Sequence, residues 1–341
     1  MKKINIGVIG CGHWGPNFIR NFSRMADVNM QAVCDINPDK LIQIKKEYRR
    51  IHTYKDYHNL LDNNKLNAVV ISTPADTHHK ITKEALEKNK HVLVEKPLSL
   101  EIAKIKDLIR VAKRTKKILM VGHTFLYNPA VNKVKEIIAK KELGKIYYIH
   151  SRRTNLGPLR KDVNAIWDLS PHDISIINYL LGQMPEHASA YSQRFLSHKL
   201  EDVGFIILKY PNRVLAHIHV SWLDPKKVRE MTIIGSKKML VYDDTSVNEP
   251  IKVYDKKVMA RQYKREYHSF KEFQLIIRDG KVEMPRVNIE EPLKIECQHF
   301  IDCVTHGRKP LTAGENGLAV LRIMDAINKS IVKKGSFIRI P

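Results

Sequence analysis

The 341-residue sequence predicts an α/β protein of two domains, a parallel-sheet domain over residues 1–122 and an α+β domain with a largely antiparallel sheet over residues 123–341. Three observations carry that expectation. Short apolar runs alternate with amphipathic stretches from Lys3 to Val121, at the spacing of strand and helix units that build a parallel sheet. A glycine-rich turn, Gly10-Cys11-Gly12-His13-Trp14-Gly15, follows the first run directly and opens a helical pattern. After Gly122 the texture changes to helices followed by alternating strands.

The strand-like runs of the first domain are residues 4–9, 30–34, 68–72, 91–94 and 118–121. In 101–117, Ile102, Ile105, Leu108, Ile109 and Ala112 recur at helical spacing, which leaves Lys104, Lys106, Lys113, Arg114, Lys116 and Lys117 mostly toward water. In the second domain 132–140 and 171–181 read as helices, and 188–193, 203–210, 214–222 and 230–234 as strands. Residues 291–306 and 313–333 are helical in spacing, with Gly307 and Pro310 as stop signals between them. The aliphatic runs fall far below the roughly 18 residues of a membrane span. The charged start Met1-Lys2-Lys3 precedes a run broken by glycines, His13 and Trp14, so it reads as a buried first strand and not as an export signal. Cys11, Cys34, Cys297 and Cys303 form no Cys-x-x-Cys pair, which favours a reducing, cytoplasmic compartment.

The formal net charge is +23, from 59 Lys plus Arg against 36 Asp plus Glu. Such a balance suits nucleic acid only with a matching motif. The basic stretches 226–238 and 252–265 are interleaved with strand-like residues and contain no zinc-finger, RNA-recognition or helix-turn-helix signature, so a nucleic-acid partner is not expected. Basic loops around a concave site would equally steer an anionic small substrate.

The glycines of the turn have distinct tasks. Gly10 permits the tight turn, Gly12 lets the backbone approach a pyrophosphate at the helix's positive end, and Gly15 lets the helix pack on the sheet, with His13 and Trp14 beside the same groups. Asp35 closes the second strand 20 residues after Gly15, where a carboxylate accepts hydrogen bonds from the adenosine ribose. An exposed turn residue before Pro38 is the alternative for Asp35, and it leaves the spacing unexplained. The domain is therefore expected to be a Rossmann dinucleotide-binding domain. With a carboxylate facing any 2′-phosphate and no Arg in residues 36–38, NAD is preferred over NADP.

Four segments carry a resemblance: Gly7-Val8-Ile9-Gly10-Cys11-Gly12, Ser72-Thr73-Pro74 followed by Thr77-His78, Glu95-Lys96-Pro97-Leu98, and Trp167-Asp168-Leu169-Ser170-Pro171-His172-Asp173. The chain resembles the glucose-fructose oxidoreductase, inositol dehydrogenase and MocA (Gfo/Idh/MocA) family of sugar and cyclitol oxidoreductases over nearly its whole length. The resemblance implies that Glu95-Lys96-Pro97 ends a strand beside the nicotinamide, often with a cis Lys-Pro bond. It implies that Lys96 reaches cofactor and substrate, that Thr73, Pro74 and His78 line the cofactor groove, and that subunits pair as a homodimer or homotetramer through one sheet face. Many members carry an Arg shortly before the Asn-Pro that ends the next turn. Here the stretch is Gly122-His123-Thr124-Phe125-Leu126-Tyr127-Asn128-Pro129, with Tyr127 or Asn128 in its stead.

Taking a hydride from a secondary alcohol needs a base for the hydroxyl proton and a donor to steady the alkoxide. Lys96 and His172 supply those types. Lys96 follows an apolar strand, at the carboxyl end where such sheets bind ligands, the alternative being a solvent-facing strand end. Ser170-Pro171-His172-Asp173 reads as a helix start, with Ser170 as N-cap and His172 in the first turn. There the helix's positive end favours a neutral imidazole, while Asp168 would pull the other way and fix the tautomer. A His172 packed against Trp167 is the alternative, and which of His172 and Lys96 is the base stays open. His217 and His219 alternate on one strand face with no third ligand, so no metal is predicted.

Residues 12–17 and 144–153 resemble a bacterial subgroup acting on nucleotide-linked amino sugars, as in 3-dehydrogenation of UDP-N-acetylglucosamine. Arg152, Arg153, Arg160 and Lys161 cluster ahead of the catalytic segment, and guanidinium forks bind diphosphate, unless they only reflect a basic composition. Asn155 and Asn164 are candidates to read sugar hydroxyls, with Trp167 beside them. Three readings follow: an NAD-dependent sugar-nucleotide dehydrogenase using Lys96, His172 and Asp168, a free-sugar or cyclitol dehydrogenase or ketoreductase of the same fold, and a dinucleotide-sensing or nucleic-acid-binding regulator without turnover.

Overall fold

A computed structural model describes residues 3–157, 159–160, 163–196, 199–258 and 277–341. The chain divides into two compact units, Met1–Tyr127 with Glu290–Leu321, and Asn128–Ile289 with Arg322–Pro341.

In the first unit, β1 (Ile4–Ile9), β2 (Val28–Cys34), β3 (His52–Tyr54), β4 (Ala68–Ile71), β5 (His91–Glu95) and β6 (Leu119–Gly122) form a parallel sheet in the order β3-β2-β1-β4-β5-β6. The order reverses between β1 and β4, which opens a crevice at their carboxyl ends. Helices α1 (Gly15–Ser23), α2 (Pro38–Glu47), α3 (Tyr57–Leu61), α4 (His78–Glu87) and α5 (Ile102–Thr115) connect the strands. All four residues of β4 are buried, as a strand covered on both faces requires.

The boundary expected at residue 122 needs correction, because the chain returns to this unit near its end. Helix α8 (Pro292–His306) places Leu293, Cys297, Phe300 and Ile301 in one apolar cluster with Phe18 and Phe22 of α1. Phe18, Phe22 and Phe300 are fully buried, and each contributes roughly 1.5–3 kcal/mol relative to exposure, which holds the late segment here.

The second unit contains α6 (Pro129–Ala139), α7 (Ala165–Leu181) and strands β7 (Ile146–Leu156), β8 (His187–Gln193), β9 (Val203–Lys209), β10 (Leu215–Ser221), β11 (Leu223–Gly235), β12 (Met239–Asp243), β13 (Ile251–Val258), β14 (Ile277–Glu283) and β15 (Ile338–Arg339). The sheet order is β14-β13-β12-β11-β7-β10-β9-β8-β15, antiparallel in the pairs described except β7 with β10, which run parallel. Helix α9 (Gly314–Val332) ends the helical part of the chain. Helix α7 covers the face of β7, β9 and β10 that buries Ile149, Ile206, Leu208, Ala216 and Ile218. The alternate residues Tyr148, Phe205, Ile207 and Leu215 are exposed on the opposite face. Among the described residues no helix is long and apolar enough to cross a membrane.

Candidate functional site

The glycine turn is built as its chemistry demands. Gly10 has φ +94°, and a Cβ there would lie 2.7 Å from the Ser72 carbonyl, while at Gly15 it would lie 2.2 Å from the Gly10 oxygen. Both glycines serve the protein's own backbone. At Gly12 a Cβ would meet nothing within 4 Å, and Trp14 caps α1 without a side-chain hydrogen bond. The space and the first-turn amides fit a pyrophosphate. His13 and Trp14 stand exposed at the turn, edge to face, with ring centroids 5.6 Å apart.

Asp35 is buried at the end of β2. Its Oδ2 accepts the Cys11 amide at 2.6 Å and its Oδ1 the Asn37 amide at 2.8 Å, which ties the strand end to the turn and leaves further lone pairs for hydroxyl donors. Lys40 Nζ lies 3.8 Å from Oδ2, a cation two residues beyond Pro38.

Lys96 is half-buried directly after β5, and the Lys96-Pro97 bond is cis. His78 is 1% exposed, with Nδ1 2.8 Å from the Pro97 carbonyl and Nε2 2.9 Å from the Thr73 carbonyl. Burial pushes its pKa down against the pull of the two carbonyls. The ring therefore joins the two loops from beneath and does not line a groove. Thr73 Oγ1 lies 2.7 Å from Thr77 Oγ1, and Pro74 is exposed. Tyr127 corrects an expectation: it is 3% exposed, its hydroxyl is 3.0 Å from Thr312 Oγ1, and it belongs to the core.

Behind Lys96 lies a buried set of which the sequence singles out only Glu95, as a residue of the cofactor site; Glu296 and His123 carry no expectation there. Glu95 is pushed up to about 7 by burial, against the lowering effect of Lys96, and Glu296 of α8 is pushed well up, first by burial and then by Glu95. His123 is pushed down to about 4 by burial and by Lys96. Thr124 Oγ1 donates to Glu296 Oε2 at 2.7 Å.

In the second unit, α7 begins earlier than expected. Asn164 Oδ1 accepts the Trp167 amide at 2.9 Å and starts the helix at Ala165, so Asn164 is a cap and not a free reader of hydroxyls. Ser170 is not the cap; it lies inside the helix and its hydroxyl donates to the Ile166 carbonyl at 2.7 Å, with Pro171 following in the helix interior. His172 thus sits in mid-helix, away from the positive end, and the argument that the helix dipole keeps it neutral does not apply. The same shift puts Asp168 and His172 one turn apart on one helix, four residues along the same face. Asp168 Oδ1 accepts Arg160 at 3.0 Å, and Trp167 Nε1 donates to Asn328 Oδ1 at 3.1 Å.

Arg152 and Arg153 do not form one clamp, because adjacent residues of β7 face opposite sides of the sheet. Arg153 is 4% exposed and donates to Asp173 Oδ2 at 2.8 Å and Oδ1 at 3.2 Å, while Ser151 donates to the same Oδ1 at 2.9 Å. Arg152 lies on the open face, opposite Glu230 of β11 and His219 of β10. Asn128 is also committed: Oδ1 caps α6 at the Ala130 amide, and Nδ2 donates to Asp244 Oδ1 and Tyr242. Asn155 donates to the Gly157 carbonyl. Lys161 lies outside the described residues. His217 Nδ1 is 2.8 Å from His150 Nδ1, and among the described residues no three His, Cys, Asp or Glu side chains are grouped to hold a metal.

Two family models match the chain. Residues 4–123 match "Oxidoreductase family, NAD-binding Rossmann fold" and residues 131–241 match "GFO/IDH/MocA C-terminal domain". A myo-inositol 2-dehydrogenase of Thermotoga maritima is 24% identical, over 98% of this chain and 98% of its own length. Among solved structures, a UDP-N-acetylglucosamine 3-dehydrogenase from Acidithiobacillus ferrooxidans has a TM-score of 0.82 at 21% identity, covering 97% of this chain and 98% of that one. A levoglucosan dehydrogenase in complex with NADH and levoglucosan has a TM-score of 0.85 at 18% identity, covering 100% of both chains. The two structures share the fold.

Proposed function

The chain belongs to the GFO/IDH/MocA family of NAD-binding oxidoreductases, and from that premise we propose that it oxidises a secondary alcohol on the ring of a cyclitol or sugar. The observation that carries the reading is the placement of the glycine turn, Asp35 and Lys96 at the carboxyl ends of β1, β2 and β5 in one parallel sheet. Bound NAD supplies the nicotinamide that accepts the hydride. Asp35 orients the ribose, and the amides opening α1 hold the pyrophosphate. Lys96 donates to the substrate oxygen and lowers the cost of its negative charge. His172 hydrogen-bonds the same hydroxyl and orients it, Asp168, one turn before it, fixes its tautomer, and the hydroxyl proton leaves through Lys96 or His172.

A free polyol or sugar comes first because Arg153 is bound to Asp173 and Arg152 faces the open sheet side, which removes the paired fork that favoured a diphosphate. The sugar-nucleotide reading stands second, supported by the resemblance at 12–17 and 144–153 and by exposed Arg160. The apolar open face formed by Tyr148, Phe205, Ile207 and Leu215 supports pairing of like subunits as a homodimer or homotetramer. Four free, buried thiols support a reducing, cytoplasmic setting.

The test is NADH absorbance with NAD and a panel of inositol, glucose and UDP-N-acetylglucosamine, repeated with Lys96→Ala. Reduction on inositol or glucose that the variant loses supports the first reading. Reduction only on the UDP-sugar moves the assignment to the second, and no turnover with any alcohol, in either direction, leaves a dinucleotide-binding regulator.

A further inference from the structure

Glu95 Oε1, Glu296 Oε1 and His123 Nε2 are among the buried side-chain atoms of the first unit that, within the described residues, have no hydrogen-bond partner. The two carboxyls are close enough for Glu95 to raise Glu296, and His123 is acted on by Lys96 beside them. Glu95 ends β5 and pairs in register with Gly122, the residue before His123, and Glu95 Oε1 lies 3.4 Å from where a Gly122 Cβ would stand. Glu296 comes from α8 and is bound to Thr124, the residue after His123. Burying one unpaired carboxyl is costly, and burying two facing ones as anions costs far more.

The hydrogen-bond directions are complementary. Thr124 donates to Glu296 Oε2, so a protonated Glu296 carries its hydrogen on the orphaned Oε1. The second oxygen of Glu95, Oε2, accepts the Lys96 amide at 3.2 Å, which leaves Glu95 Oε1 as the open acceptor. The other groups that face this set are Lys96, Tyr127 and Cys297. Burial raises both Tyr127 and Cys297, so neither carries a charge at neutral pH, and Lys96 is the cation of the set.

We propose that Glu95, Glu296 and His123 form a proton-holding cluster that serves Lys96. Glu296 stays an acid and hydrogen-bonds Glu95, and Glu95 is the member that gains and loses the proton. Resting on the dehydrogenase reading above, the step balances as follows. The alcohol O–H bond breaks, its electron pair becomes the second carbonyl bond, and the C–H pair leaves with its hydrogen to the nicotinamide. The hydroxyl proton ends in a new O–H bond on Glu95, passed there through Lys96. Ketone reduction runs the same path backwards. Glu296 is a positioning residue in this scheme, because it acts through Glu95.

The test has one arm that needs no substrate. Infrared spectra of the whole protein, titrated from acid to alkaline pH, should show a protonated-carboxyl carbonyl band in two parts. One part disappears near pH 7 and is absent in Glu95→Gln; the other persists and is absent in Glu296→Gln. The second arm is the pH profile of kcat. Glu296→Leu removes the donor to Glu95 and should move the limb near pH 7 upward by about half a unit or more, and Glu296→Gln should restore it. KM for NAD should stay unchanged in both. Should Glu296→Leu fail to fold, Thr124→Val, which frees Glu296 Oε2, takes its place and should shift the persistent band. Bands that neither carboxamide variant alters overturn the proposal whatever the substrate is. Bands assigned as expected beside a protein that oxidises no alcohol would instead retire the dehydrogenase reading and keep the cluster.

Discussion

The Arg153 guanidinium is bound to Asp173, with Nε 2.8 Å from Oδ2 and both side chains about 5% exposed. An Arg in this position is a structural ion, stabilised by its partner and not by ligand. Asp173→Ala should therefore lower unfolding stability by about 3–5 kcal/mol, since it leaves a buried charge unpaired. Replacing the pair by Arg153→Met with Asp173→Leu should restore most of the loss, and Arg152→Ala should stay within about 0.5 kcal/mol of the parent. Urea midpoints at constant slope check all three, and an Asp173→Ala protein as stable as the parent would refute the structural role.

Asp35 both holds the glycine turn, through the Cys11 amide, and faces the position of a 2′-phosphate. A carboxylate about 4 Å from a phosphate costs about 1–4 kcal/mol between bulk-water and near-surface screening, and Lys40 offsets part of it. Asp35→Ser should shift the ratio of NAD to NADP dissociation constants toward NADP by at least about tenfold, or about 1.4 kcal/mol. Nucleotide titration by intrinsic fluorescence reads the ratio directly. Absolute NAD affinity should fall in the same variant because the turn loses a tie.

Lys96→Ala should reduce kcat by about 10²–10⁴-fold with the dissociation constant for NAD nearly unchanged, and His172→Asn should do the same, as expected for groups that move or stabilise a proton in the transition state. Parallel losses of NAD binding and turnover would instead make Lys96 a cofactor residue. Stopped assays with calorimetric NAD titration separate the two.

The first unit was legible because its signals are local. Strand runs such as 4–9 and 68–71, the glycine spacing and Asp35 depend on neighbours in sequence, and β3 escaped notice only because it is three residues long, with two of them exposed. The second unit hid two features that need tertiary context. Ser170-Pro171 satisfies the local rule for a helix start, but Asn164 caps the chain earlier and the burial of Ala165 and Ile166 carries the helix through the proline. Arg152 and Arg153 looked like one cluster until the alternation of a strand separated them. Glu296 did leave a trace. On α8 it stands in the stripe of Leu293, Cys297, Phe300 and Ile301, where an acid on an apolar face marks a buried, specialised group.

That buried acid set also governs how stability depends on pH. Glu95 is raised by burial from the ordinary 4.5 to about 7 in the folded chain, so between those values the folded state binds a proton that the unfolded state has released. Its contribution is complete below about pH 4.5 and is lost as pH rises through 7, by about 3 kcal/mol in total. His91 and His123 act at the other end: both are pushed down to about 4 by burial, so their contribution is complete above the ordinary 6.5 and is lost as pH falls through 4. Glu95→Gln removes the first effect only. Urea unfolding of parent and variant from pH 5 to 8 should show the parent losing ground to the variant by about 2.5 kcal/mol across that range, and parallel curves would mean that Glu95 ionises in the folded chain as freely as in the unfolded one.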